Sequence, residues 1–153
     1  MLRGINMKQV SRSALVSFSA EQMFNLVNDV ASYPEFLPGC SGSRVIESSA
    51  GAMVASVDVA KAGISKTFTT SNELVDCEAI IMNLVDGPFK TLKGGWFFTP
   101  LDEQACKVEL KLEFEFSSKM IEMAFGKVFN ELTNNMVNAF TKRAKQVYPV
   151  YEY

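Results

Sequence analysis

Apolar positions follow two periodicities along this chain. From Ser19 to Ser32 they recur at helical spacing (Phe24, Val27, Val30). Ser19 can cap that helix, and Gln22 stands three residues on, the spacing of a capping box. Phe18 and Met23 occupy the two positions of a hydrophobic staple. The helix is expected to stop near Ser32, because Tyr33 precedes Pro34 and is pushed out of the helical region. Before it, "KQVSRSALVS" (8–17) predicts a strand.

A long region of strand signals follows. "SRVIES", "AMVASVDVAKAG", "ISKTFTTSNELV", "EAIIMNLVD", "TLKGGWFFTP" and "CKVELKLEFEF" are separated by Gly, Asp, Asn or Pro turns. In the last, Val108, Leu110, Leu112, Phe114 and Phe116 alternate with Lys107, Glu109, Lys111, Glu113 and Glu115. Strict period two means one buried face and one wet face. Leu92, Gly94, Trp96 and Phe98 share a parity in the preceding strand, and Gly94-Gly95 suggests a bulge that shifts it. Helical spacing returns from Ser118 to Tyr148, roughly 45 Å of helix stopped by Pro149. Its stripe is Ile121, Phe125, Val128, Phe129, Leu132, Met136, Ala139 and Phe140.

Consecutive strands with short turns predict an antiparallel sheet with one apolar face. The last helix has one apolar stripe. Burying both requires the curved sheet to wrap the helix. The fold class is therefore α+β of the helix-grip type, with about seven strands, a long C-terminal helix, and one or two short helices after the first strand. A sheet that stands off from its helix leaves an apolar tunnel.

Composition narrows the chemistry. The chain has 153 residues, enough for one domain with a real core. Residues 7–148 form the expected domain, with 1–6 and 149–153 as terminal extensions and Met7 as a candidate start. A net charge of −2 argues against binding nucleic acid through an overall basic field. There is no histidine, which removes the commonest general base and metal ligand. No metal site is expected. Cys40, Cys77 and Cys106 are odd in number and far apart, so no disulfide ladder is read and a reducing cytoplasm is the simplest setting. No window approaches the ~20 apolar residues of a membrane-spanning helix. Carboxylates are scattered over outward strand positions, and Gly94-Gly95 lacks the pattern of a phosphate loop. No catalytic residue is expected.

Four stretches carry a family resemblance: "VNDVASYPEFLPGCSGSRV", "VDVAKAGISKTFTTSNELV", "MNLVDGPFKTLKGGWFFTPL" and "AFGKVFNELTNNMVNAFTKRAKQVY". They closely resemble the bacterial ribosome-association toxins of the coenzyme Q-binding, START-like (polyketide cyclase/dehydrase) superfamily, from about Met7 to Tyr148. The resemblance implies a START-like helix-grip fold. It implies binding to the large ribosomal subunit that blocks subunit association, with a small antitoxin protein as a further partner. It also implies the ubiquinone binding of respiratory relatives, either as a carrier function in its own right or as a ligand of the toxin. A cyclase-like enzyme is the weaker implication of the superfamily name.

The expected tunnel wall is Phe68, Trp96, Phe98, Val108, Leu110, Leu112, Phe114, Phe125, Phe129 and Leu132. A solid core would use the same residues. Trp96 could stack on a quinone ring. No cofactor is required, but ubiquinone or another isoprenoid or lipid fits such a tunnel. Asn135 falls within the apolar stripe, Lys66 shares a face with Phe68, and Arg143 lies near the helix end. Each either bonds a ligand headgroup or is satisfied locally. Lys142, Arg143 and Lys145 make a small basic end, either a ribosomal contact or a solvated terminus.

The stretch "YPEFLPGC" (33–40) is too apolar for an ordinary loop. Pro34 and Pro38 stiffen it. Tyr33, Phe36 and Leu37 would plug a tunnel mouth or meet an apolar ligand or the inner membrane surface. The other reading is a packed connector covering the core's edge.

Overall fold

The computed structural model describes residues 7–149. Apart from Pro149, the two expected extensions lie outside the described residues. The elements are β1 (Lys8–Val16), α1 (Ala20–Asn28), a 3-10 helix (Val30–Glu35), β2 (Cys40–Ser49), β3 (Ala52–Lys61), β4 (Ile64–Val75), β5 (Ala79–Asp86), β6 (Phe89–Asp102), β7 (Ala105–Phe116) and α2 (Lys119–Val147). Seven strands form one antiparallel sheet in the order β1-β7-β6-β5-β4-β3-β2. Hairpins join β2 through β7. One excursion, α1 and the 3-10 helix, carries the chain from edge strand β1 to the opposite edge strand β2. The curved sheet grips α2, the arrangement that the two apolar patterns require.

β7 shows why. Val108, Leu110, Leu112, Phe114 and Phe116 are all buried, and the intervening Lys and Glu side chains face outward. Burying each such side chain contributes about 1.5–3 kcal/mol. The register through Gly94 is continuous, Gly94 opposite Leu112 and Gly95 opposite Lys111, so the bulge expected there is absent. The β6–β7 register shifts fall at Phe89/Thr91 and Pro100/Asp102 instead. Gly94 is needed for close approach: its φ is +151°, and a Cβ would stand 2.0 Å from the Lys111 carbonyl oxygen.

The capping box of α1 is complete. The Gln22 amide donates to Ser19 Oγ at 3.0 Å, and the Ser19 amide donates to Gln22 Oε1 at 2.9 Å. Phe18 and Met23 are both buried. The helix ends at Asn28 and not near Ser32. Asp29 leaves the helical region (φ −83°, ψ 69°), and its carboxylate accepts from the Ser32 hydroxyl at 2.6 Å. The chain then tightens into the 3-10 helix, which runs through Pro34. Proline fits because the turn is bonded from Ser32, Phe36 and Leu37, not from residue 34.

Ser118 caps α2 by accepting from the Ile121 amide at 3.1 Å, and Tyr148 ends it in an extended conformation. Of the expected stripe, Phe125, Val128, Phe129, Leu132 and Phe140 are buried and Ile121, Met136 and Ala139 half-buried, while Gly126, Thr133, Val137 and Ala144 are buried as well. Asn135 is not on it. It is exposed, and its side-chain amide donates to the Glu131 carbonyl at 2.8 Å. Each residue advances about 100° around the helix, so the stripe passes through Leu132, Thr133, Met136 and Val137 and leaves 135 outside. Thr133 holds the interior polar position, its hydroxyl returned to the Phe129 carbonyl at 3.0 Å.

Candidate functional site

The inner face of β6 and β7 brings Trp96, Phe98, Val108, Leu110, Leu112 and Phe114 together beneath Phe125, Phe129 and Leu132 of α2; all are buried. The rings touch one another. Phe114 and Phe129 have centroids 4.9 Å apart, Phe89 and Phe129 4.9 Å, and Phe68 and Phe129 5.7 Å. These are edge-to-face contacts, each worth about 0.5–1.5 kcal/mol beyond area burial. Phe68 is half-buried at one side of this group.

A second aromatic group closes the other end. Trp96, Tyr33 and Phe36 all stand edge-on to Phe140, at 5.2, 5.2 and 5.1 Å. The 33–40 stretch therefore lies over the Trp96 end of the interior. It is divided: Tyr33, Leu37 and Cys40 are buried, Phe36 is half-buried, and Pro34 and Pro38 are exposed. Arg143 clasps it from α2. Its guanidinium lies over the Phe36 ring at 5.0 Å and donates to Glu35 at 2.9 Å. Arg143 is thus engaged with the connector, while Lys142 and Lys145 point into solvent.

Sequence reasoning missed one polar feature of the interior. Thr70 and Asn72 are buried on the inner face of β4, in register with Ala55 and Met53 of β3 and with Leu84 and Met82 of β5. The Thr70 hydroxyl donates to Asn72 Oδ1 at 2.8 Å. Among the described residues the Asn72 side-chain N–H groups make no hydrogen bond but are not fully enclosed; the fully buried side-chain atoms without a partner are Asn28 Oδ1 and Arg143 Nε. Only strand parity signals the pair: Lys66, Phe68, Thr70, Asn72 and Leu74 share a strand face. Lys66 itself is half-buried near the strand end.

Burial governs the titratable groups inside. Burial pushes the Tyr33 phenol far above its ordinary value, with Cys40 and Asp29 adding to the shift. Its hydroxyl donates to the Val27 carbonyl. Burial raises the Cys106 thiol to about 11 and also raises Cys40, so both stay protonated at neutral pH. Among the described residues, no cluster of three or more His, Cys, Asp or Glu could hold a metal. No helix of the described residues is long and apolar enough to cross a membrane.

The family of polyketide cyclase / dehydrase and lipid transport proteins matches residues 16–141. A Vibrio cholerae protein named ribosome association toxin RatA is 83% identical over 142 residues, covering 93% of this chain and 99% of the relative. A mitochondrial coenzyme Q-binding protein COQ10 homolog B of Xenopus laevis is 28% identical over 151 residues, covering 96% of this chain and 62% of the relative. Among solved structures, the Zhui aromatase/cyclase from Streptomyces sp. R1128 superposes with a TM-score of 0.81 at 19% identity, over 94% of this chain and 97% of that one. At that identity the likeness concerns the fold alone.

Proposed function

We propose that this chain, which belongs to the polyketide cyclase / dehydrase and lipid transport family, is a ribosome-directed toxin. It binds the large ribosomal subunit in the cytoplasm and keeps it from joining the small one. It acts by occupying a surface and not by catalysis, and a small antitoxin protein holds it in check. The observation that carries this reading is the 83% identity to a RatA protein across 99% of that relative's length. Inside, burial raises the Cys40 and Cys106 thiols and the Tyr33 phenol, so none of the three is a ready nucleophile at neutral pH. Sedimentation of the purified protein with separated subunits tests the binding step. It should travel with the large subunit; free protein at the top of both gradients would refute the reading.

A hydrophobic ligand is the second reading, favoured by the Thr70–Asn72 pair. Two buried polar groups on the inner face of β4, beside Met53, Ala55, Met82 and Leu84, match a quinone headgroup: Asn72 N–H groups can donate to a carbonyl oxygen while an isoprenoid tail runs toward the aromatic interior. Because the interior rings are in mutual contact, a tail would enter by displacing rings, and the cover of Phe140 by Tyr33 and the half-buried Phe36 is the place proposed for it. The ligand would be ubiquinone or another isoprenoid, acquired at the inner membrane surface. Solvent extraction of the purified protein followed by mass spectrometry tests this; repeated extracts without isoprenoid would dispose of it.

A further inference from the structure

The outward face of α2 is built against its own helical propensity. Asn130, Asn134, Asn135 and Asn138 are all exposed there, where packing makes no demand. Asparagine costs up to about 0.7 kcal/mol per position relative to alanine in a helix. Asn134 and Asn135 each return one N–H to the helix, but Asn130 and Asn138 have side chains with no hydrogen bond among the described residues. These amides are offered to solvent.

The charges around them are asymmetric. On the outer face of the sheet, Lys90, Lys93, Lys107 and Lys111 are each ion-paired, with Glu115, Glu113 and Glu109. On α2, the acids Glu122 and Glu131 pair with Lys8 and Lys61, and one cation, Arg143, pairs with Glu35 of the connector. Lys127, Lys142 and Lys145 form no ion pair among the described residues. Within a net charge of −2, these three lysines share one helix side, where Arg12 of β1 also donates to Asn134 Oδ1 at 3.0 Å; Lys66 and Lys119, elsewhere, are likewise outside any ion pair among the described residues.

Shape adds a third observation. Depressions of about 500, 440 and 240 Å³ flank this face, and Asn135 borders all three. The helix is a polar ridge with grooves along its sides, running about 27 Å from Lys127 to Lys145. Between those two lysines no large apolar side chain is exposed; Met120, Met123 and Val147 lie beyond them. A protein interface depends on buried aromatic and aliphatic anchors, which this stretch does not offer. Unpaired ammonium groups and free amides suit phosphate and ribose hydroxyl oxygens.

We infer that the Lys127–Lys145 face of α2 is the surface that meets ribosomal RNA, Lys127, Lys142 and Lys145 on phosphates and Asn130 and Asn138 on ribose or base edges. The inference rests on the ribosomal reading above and supplies its contact surface. RNA rather than a ribosomal protein is the partner.

The test measures binding to large subunits and to protein-free large-subunit RNA across a salt series. It compares wild type with Lys127→Gln/Lys142→Gln/Lys145→Gln, Asn130→Ala/Asn138→Ala and Lys93→Gln/Lys107→Gln/Lys111→Gln. The α2 lysine variant should bind at least about tenfold more weakly, and the slope of log affinity against log salt should fall by about two to three. The amide variant should weaken binding severalfold with the slope unchanged, although alanine strengthens the helix. The sheet variant should bind as wild type does. If wild type binds subunits and both α2 variants bind equally well, the inference is wrong. Binding to subunits without any to protein-free RNA would assign the partner to a ribosomal protein and also overturn it. Failure of wild type to bind subunits would instead remove the ribosomal reading beneath it.

Discussion

Tyr33 stands edge-on to Phe140, ring centroids 5.2 Å apart, and its hydroxyl donates to the Val27 carbonyl at the end of α1. One side chain of the connector thus ties α1 to α2. Tyr33→Phe keeps the ring and deletes the hydrogen bond, so it should lower stability by about 1–2 kcal/mol. Phe140→Ala removes the ring on which Tyr33, Phe36 and Trp96 converge and should cost about 3–5 kcal/mol. Urea denaturation measures both, and equal losses would contradict this division of roles. The phenol also has a pH signature. Its folded value is raised, so its stabilisation is intact below the unfolded tyrosine pKa of about 10 and is lost as pH rises above it. Tyr33→Phe should therefore show a shallower loss of stability above pH ~10 than wild type.

Gly94 and Gly51 make a matched pair. A Cβ at Gly94 meets backbone at 2.0 Å with φ at +151°, while one at Gly51 meets nothing within 4 Å. Gly94→Ala should destabilise by at least about 2 kcal/mol, and Gly51→Ala should stay within about 1 kcal/mol of wild type. Thermal melts of the two variants decide it; comparable melts would mean that β6 can relax away from β7.

Much of this architecture was legible in the chain, and the misses have physical causes. β4 was bounded to the residue by Gly63 and Asp76, and the capping box of α1 followed from Ser19 and Gln22. The end of α1 did not follow, because Asp29 breaks the helix through its own backbone and its bond to Ser32 before Pro34 has any say. Asn135 was misplaced because apolar neighbours at 132 and 136 widen the apparent stripe. Thr133, a polar residue that satisfies itself against the helix backbone, hides the true interior position. Thr70 and Asn72 are not legible because β4 runs Thr-Thr-Ser-Asn-Glu after Phe68, with no apolar alternation to mark its inner face.

The connector's two apolar side chains should separate when truncated. Leu37 is 3% exposed and packs into the core, so Leu37→Ala should cost about 2–5 kcal/mol. Phe36 is half-buried and covers Phe140. Phe36→Ala should cost less stability than Leu37→Ala but release more bound isoprenoid, read by mass spectrometry of extracts beside denaturation curves. If both mainly unfold the protein, the segment is core cover and not a gate.

Thr70→Val/Asn72→Leu replaces the buried polar pair with apolar groups of similar size. Removing both partners together leaves no orphaned donor or acceptor between them, so stability should change by less than about 1 kcal/mol. Quinone retained through purification should drop severalfold. Unchanged quinone content would remove this pair as the headgroup anchor.

The central claim concerns subunit joining. Light scattering can follow purified large and small subunits as magnesium is raised, with and without the protein. Preincubating the large subunit with a slight excess of the protein should lower the yield of joined ribosomes in proportion to the subunits occupied, and preincubating the small subunit alone should slow the effect. The same yield and rate at tenfold excess would contradict the account.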